Sequence, residues 1–515
     1  MIWVLDFGSQ YTQLIAKKLR RAGFQAEVQA GSTPAQLRPK NLKGVVLSGS
    51  PLSVGAPLAP DPQWLDHDIP ILGLCFGYQW LAHHGGGELK VQSRREYGAS
   101  TVYPVPIEDS QLRSLAQSFL SGFPAAARVW MSHGDSVLKL PPTLAPLLES
   151  SHGLAAFVGQ SPTGMARLGL QFHPEVHHTE NGSLLLENFA QSVCGMKRTW
   201  SVSAERDRLV EELSSKLQKV PFVHCAVSGG VDSTVLAVLL SQTTKVKALF
   251  VDHGFNRLYD QKDLESVFSG FPNIEWRVLD ARELFWRHLK GVSDPELKRK
   301  TMGRLFIEVF EKELAKDQAT YLAQGTIYSD VIESAVNPLA PAEKIKSHHN
   351  VGGLPETLNL KLLEPLRGLF KDEVRELGQA LGIPKFFLDR HPFPGPGLAI
   401  RCLGPLSQER VDLVAKVDEV FVRELKARGL YEKIWQAAAI LLPVQSVGVM
   451  GDGRSFESAV CLRAVQSLDA MTAEASEFSM SEWKAIASQI INEVRGVNRV
   501  VFDLTSKPPG TIEWE

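Results

Sequence analysis

Phe222-Val-His-Cys-Ala-Val227, Ser228-Gly-Gly-Val-Asp-Ser233 and Thr234-Val-Leu-Ala-Val-Leu-Leu240 follow one another without a break: an apolar run, a glycine-serine loop and an apolar helix. A strand feeding a helix through such a loop is the building unit of a doubly wound, mainly parallel α/β sheet. Gly229 and Gly230 let backbone amides approach an anion, Ser228 and Ser233 add hydroxyl donors, and the helix that opens next presents its positive end. The loop lacks a Gly-Lys-Ser/Thr ending, so it is a phosphate loop of another type than the Walker loop.

Residues 1 to about 195 show an α/β pattern. Short runs such as Gly44-Val-Val-Leu47 and Ile69-Pro-Ile-Leu72 alternate with glycine turns and with helical stretches such as Thr12 to Ala22. Met1-Ile-Trp-Val-Leu-Asp6 reads as a first strand, because no long apolar run or small-residue cleavage site follows it. A charged stretch from Lys197 leads into the amphipathic helix Ala204 to Lys219 and a second unit, residues 196–391. Beyond Pro392 the punctuation changes to Pro394-Gly-Pro-Gly397. Helical segments Gln408 to Arg428 and Ser481 to Val494 then alternate with strands such as Arg499 to Leu504, which predicts a smaller α+β domain over 392–515. Three domains are expected in all: 1–195, 196–391 and 392–515.

With 55 Lys plus Arg against 57 Asp plus Glu, the net charge is −2, so the basic excess of general nucleic-acid binders is missing. No stretch reaches the ~18 uninterrupted apolar residues of a membrane span. The five cysteines, Cys75, Cys194, Cys225, Cys402 and Cys461, are scattered and odd in number. That argues against a disulfide framework and for a cytoplasmic protein.

A second reactive pattern is Gly73-Leu-Cys75-Phe-Gly77, an elbow between a strand and a helix. There the cysteine faces the positive end of the following helix, which favours thiolate, and the Phe76 amide is available to an oxyanion. About one hundred residues later Gln171-Phe-His173-Pro-Glu175 places histidine and carboxylate two apart, on one face of a strand. His173 can take the thiol proton while Glu175 orients the imidazole. His177 and His178 follow, but no cysteine or carboxylate completes a recognised metal spacing around them.

These motifs over residues 1 to 190 resemble class I glutamine amidotransferases. The resemblance implies that Cys75 attacks the glutamine side-chain amide, with Gln79, Ser132, His133 and Asp135 in the glutamine pocket. It also implies that Gly49, Ser50 and Phe76 form the oxyanion hole. The family commonly has Ser-Gly-Gly-Pro where this chain has Ser48-Gly49-Ser50-Pro51. Serine tolerates positive φ less well than glycine, so a different resting loop is anticipated.

The loop from Ser228 resembles that of the ATP pyrophosphatases, which cleave ATP to AMP and pyrophosphate while adenylating a substrate oxygen. The resemblance implies ATP contacts from Ser228, Gly229, Gly230, Val231, Asp232, Ser233 and Thr234, with Asp232 as a magnesium ligand. The loop leaves the acceptor open.

Further stretches resemble the GMP synthetase family along nearly the whole chain: Leu322-Ala-Gln-Gly-Thr326, Ile345 to Pro355, Phe370-Lys-Asp-Glu-Val374, Arg390 to Ala399, Val447 to Gly453 and Ser506-Lys-Pro-Pro. That implies Lys371 on the ATP phosphates and Arg299, Arg499, Lys507, Ile512 and Glu513 on xanthosine monophosphate (XMP), together with a homodimer built through the third region. His253 stands where that family usually has asparagine, and Ser329 where it usually has proline.

Overall fold

Parallel strands all present their carboxyl ends on one edge of a sheet, so loops distant in sequence meet there. The structure, a computed structural model, describes residues 1–54, 60–317, 320–335, 360–450, 453–467 and 472–515. The run 345–355 quoted above, and 451–452 within the run 447–453, lie outside these residues. Two compact units divide the chain, Met1–Glu205 and Arg206–Glu515.

The first unit is built on nine strands: β1 (Ile2–Asp6), β2 (Ala26–Ala30), β3 (Gly44–Leu47), β4 (Ile71–Leu74), β5 (Glu88–Pro104), β6 (Ala127–Lys139), β7 (Leu144–Ser150), β8 (Gly153–Gln160) and β9 (Ala166–Leu170). Their order is β2-β1-β3-β4-β9-β8-β7-β5-β6. The pairings from β2 through β9 are parallel and those from β9 to β6 antiparallel. The strands β3 and β4 are buried at every residue, as befits central strands covered on both faces. The predicted helix at Thr12 is observed over Thr12–Arg21.

The second unit carries β10 (Phe222–Val227), β11 (Lys245–Asp252), β12 (Ile274–Asp280), β13 (Tyr321–Ala323) and β14 (Lys361–Leu363) in one parallel sheet, ordered β12-β11-β10-β13-β14. The helix Val231–Ser241 opens directly after the loop at β10, and nearly all its side chains are buried. A second sheet joins β15 (Gln436–Met450), β16 (Gly453–Gln466), β17 (Glu474–Ala475) and β18 (Val497–Phe502), with β18 parallel to β16 and the others antiparallel. Helices Gln408–Ala427 and Met480–Glu493 flank it, within two residues of the expected bounds. The expected boundary at 391 falls inside this unit. One apolar core there runs from Val251, Phe255 and Phe285 to Phe421, Trp483 and Val497.

Candidate functional site

Cys75 stands between β4 and the helix Phe76–His84, at φ 50° and ψ −99°, a strained conformation for a residue with a side chain. Its neighbours enforce the bend. A Cβ on Gly73 would sit 2.4 Å from the Gly77 carbonyl, and one on Gly77 would sit 2.5 Å from the Leu47 carbonyl oxygen, so only glycine lets the helix lie this close to β3 and β4. Phe76 is the first residue of the helix, where amides have no acceptor within the helix itself.

His173 follows β9, the strand parallel to β4 and next to it, and the Cys75 amide donates to the Leu170 carbonyl at 2.8 Å. Adjacency of two parallel strands thus brings together residues about one hundred positions apart. The His173 Nδ1 is 2.7 Å from Glu175 Oε1, and both residues are buried, as is Cys75. Burial works to lower the pKa of His173, but the charge and hydrogen bond of Glu175, with the Cys75 thiol beside it, prevail and hold it well above the ordinary histidine value. Tyr11 packs edge-on against the ring at 5.2 Å, and Thr179 Oγ1 donates to the His173 carbonyl at 2.6 Å.

The loop after β3 closes this site. A Cβ on Gly49 would lie 3.2 Å from the His173 ring, and the buried Ser48 hydroxyl accepts from the Phe7 amide at 3.1 Å. Ser50 lies outside the left-handed region, since Cys75 and Asn181 are the non-glycine residues with positive φ among those described. Its hydroxyl accepts from the Leu52 amide at 3.1 Å, which stabilises an ordinary serine turn. Serine therefore fits this backbone without strain.

Opposite the elbow, Gln79 Nε2 donates to the Asp135 carbonyl at 2.8 Å, and the Ser132 carbonyl lies 3.6 Å from Cys75 Sγ. His133 Nδ1 is 3.0 Å from the Asp135 carbonyl, and its Nε2 is 3.2 Å from Glu96 Oε2. Two residues at this site escaped the sequence reading. Gln171 is buried against Cys75, with Nε2 3.9 Å from Sγ, and it was findable, since it stands two residues before His173 in the same short run that leaves β9. Glu96 had no local signal: the register of β5 against β6 alone pairs it with His133.

In the second unit Gly229 adopts φ +84°, a conformation open to glycine, between β10 and the buried helix. Ser233 Oγ accepts from the Ser228 amide at 3.3 Å and donates to the Gly230 carbonyl at 3.3 Å, while Thr234 Oγ1 donates to the same carbonyl at 2.9 Å. Val231 and Asp232 fill the first turn of the helix. Lys371 Nζ lies 3.9 Å from Asp232 Oδ2, and Asp232 Oδ1 is buried with no hydrogen-bond partner. An orphaned carboxylate oxygen beside an anion loop fits a hard divalent cation such as magnesium.

The chain is 47% identical to the GMP synthase [glutamine-hydrolyzing] of Helicobacter acinonychis over 524 residues, covering 100% of both chains. It is 46% identical to the one from Mesorhizobium japonicum, covering 100% of this chain and 98% of that protein. The chain belongs to the glutamine-hydrolysing GMP synthase family. Within it, residues 3–193 match the model for glutamine amidotransferase class-I, and residues 423–514 the model for the GMP synthase C terminal domain. A solved glutamine amidotransferase from Thermotoga maritima is 21% identical, covering 42% of this chain and 84% of that one, with a TM-score of 0.27.

The residues that resemblance to this synthase family assigns to the purine nucleotide are only partly gathered. Glu513 receives two hydrogen bonds from Arg401, at 2.8 and 3.1 Å, and one from Gln436. Arg299 donates to the Glu515 carbonyl, while its neighbour Lys298 is fully buried and donates to Glu515 and to the Cys402 carbonyl. The Ile512 carbonyl accepts from Arg463 at 2.9 Å, and the Lys507 backbone pairs with Ala473. Arg499 stands apart from these. It is exposed on β18 opposite Ala459, four residues along β16 from Arg463, roughly 13 Å by strand rise. Sequence reasoning missed Arg401 and Gln436, which are far from the 506–515 segment in sequence.

The two departures have local settings. His253 is a core histidine: its Nδ1 accepts from the Phe255 amide at 3.1 Å, and its ring packs on Phe255, Phe285 and Phe306. An asparagine side chain would accept from the amide two residues on in the same way, so histidine reproduces the turn and adds apolar area. Ser329 lies in the helix Tyr328–Ala335, and nothing in the structure explains its replacement of proline.

Proposed function

We infer that this chain synthesises GMP from XMP, ATP and glutamine. The observation that carries the reading is the assembled Cys75–His173–Glu175 cluster at the ends of β4 and β9, on a chain that also holds the anion loop after β10. Cys75 attacks the glutamine amide carbon, and His173 carries the proton that lets ammonia leave. The Phe76, Gly49 and Ser50 backbone stabilises the oxyanion, and water then cleaves the thioester to glutamate. Gln79, Ser132, His133 and Asp135 line the glutamine pocket.

At the second site the loop from Ser228 to Thr234 and Lys371 hold the ATP phosphates. Asp232 would hold magnesium, which offsets phosphate charge when bound. The XMP oxygen at C2 displaces pyrophosphate from ATP, and ammonia then displaces AMP to give GMP. Arg299, Arg499 and Lys507 supply cations for the nucleotide phosphate. Ile512 packs on the base, and Glu513 accepts from ring N–H groups with lone pairs that Arg401 and Gln436 leave open. Residues 392–515 form the dimerisation region of a cytoplasmic homodimer. Among the described residues no helix is long and apolar enough to cross a membrane.

The test supplies XMP, ATP, magnesium and either glutamine or ammonium, and measures GMP and AMP for the wild type and for Cys75→Ala. The reading expects that Cys75→Ala abolishes the glutamine reaction and leaves the ammonium reaction intact. No GMP from either nitrogen source would overturn it.

A further inference from the structure

Arg390 comes from the Arg390-His-Pro-Phe stretch, 161 residues beyond Gly229, yet its guanidinium is buried against the phosphate loop. Its Nη1 donates to the Gly229 carbonyl at 3.2 Å and to Asp260 Oδ1 at 3.2 Å, while Nη2 pairs with Asp263. Asp260 is 1% exposed and also accepts from the main-chain amide and the Nε of Arg257, both at 3.2 Å. The Phe387 ring lies 4.2 Å from the Arg390 guanidinium carbon, and Arg375 donates to the Arg390 carbonyl at 3.1 Å. Both ends of the arginine are therefore fixed, and its planar fork has one orientation that serves the glycine carbonyl and the two carboxylates together.

A trans peptide points its carbonyl and the next amide in opposite directions. Holding the Gly229 carbonyl toward Arg390 consequently turns the Gly230 N–H away from Arg390. Gly229 is at φ +84°, and its carbonyl orientation would otherwise be free to flip, as a glycine peptide permits.

We propose that Arg390, oriented by Asp260 and Asp263, is a positioning residue for ATP: it locks the Gly229 peptide so that the Gly230 amide is preset for a phosphate oxygen. This rests on the ATP reading of the loop given above. Arg390 touches the backbone of the loop and not the substrate, so its loss acts on affinity for ATP before anything else.

The experiment compares full-length wild type with Arg390→Gln, Arg390→Lys and Asp263→Asn. ATP binding is measured by calorimetry, and the KM values for ATP and XMP are measured in the ammonium-dependent reaction. Arg390→Gln should weaken ATP binding about tenfold or more, the size expected for one charge-assisted hydrogen bond, with the KM for XMP changed less than about twofold. Arg390→Lys keeps the charge and one donor and should recover part of the loss. Asp263→Asn, which loosens the guanidinium from its exposed side, should shift ATP binding in the same direction and serves where Arg390→Gln does not fold. Unchanged ATP binding in soluble Arg390→Gln overturns the proposal. So does a parallel rise of both KM values in every variant with a lowered melting temperature, because that marks a merely structural role. A wild type that binds ATP but makes no GMP refutes the acceptor assignment and leaves the binding comparison valid.

Discussion

His173 lies between opposing influences, burial on one side and the Glu175 carboxylate on the other, and the carboxylate wins. Replacing it with a neutral group reverses that balance. Glu175→Gln should therefore lower the glutaminase kcat by about 100-fold or more, as loss of the orienting acid does in comparable triads. It should also move the alkaline limb of the pH profile to lower pH, while ammonium-dependent GMP formation stays unchanged. An unmoved profile would show that Glu175 does not set the protonation of His173. His253 makes the opposite case. Burial holds it down to about 3 from an ordinary 6.5, so the folded chain keeps it neutral where the unfolded chain is protonated. Stability from this group is complete above pH 6.5 and is lost as pH falls from there toward 3. The loss approaches ~1.4 kcal/mol per pH unit for such a group. Thermal melts of His253→Asn should accordingly fall less than wild type between pH 7 and pH 5; parallel curves would refute the assignment.

The elbow is a property of elements packed at contact distance. The helix Phe76–His84 touches β3 through Gly77 and folds back on β4 through Gly73. In Gly77→Ala the new methyl meets main-chain atoms of Leu47, which cannot swing aside as a side-chain tip could. The helix must shift, at a cost of about 1–3 kcal/mol for overpacking. The expected result is a lower melting temperature together with a large loss of glutaminase kcat, because Cys75 and the Phe76 amide move with the helix. A folded variant of unchanged activity would mean that the close approach can relax.

For the whole molecule, the proposed dimer has a specific surface to use. Val447, Val449 and Phe456 are 51%, 78% and 64% exposed on the β15–β16 arm. Val447 pairs directly with Phe456, and Val449 lies two residues along the same face. Apolar side chains clustered on one exposed face mark a partner surface. Sedimentation should give a dimer for the wild type and a shift toward monomer for Phe456→Asp; a monomeric wild type would refute the assignment. Ammonia in bulk water near neutral pH is mostly protonated and so poorly nucleophilic, which motivates coupling of the two half-reactions. The glutaminase rate should rise strongly when XMP and ATP are added, and equal rates would exclude coupling.

Local chemistry made much of this protein legible in its sequence. The elbow needed two glycines around Cys75, and the loop from Ser228 stood between an apolar strand and an apolar helix; His173 and Glu175 were legible as a pair two residues apart, although they lie in a turn past the end of β9 and not on a strand face as expected. These are short-range constraints, and a few neighbouring residues satisfy them. Tertiary structure alone decided what meets across the fold. The order of β4 and β9 joins cysteine to histidine, the register of β5 against β6 sets Glu96 on His133, and Arg390 reaches the loop from 161 residues away. None of those pairings leaves a periodic trace, because each depends on which strands and helices become neighbours. For the same reason nothing in the sequence joined Glu513 to Arg401 and Gln436, which hold it in the fold.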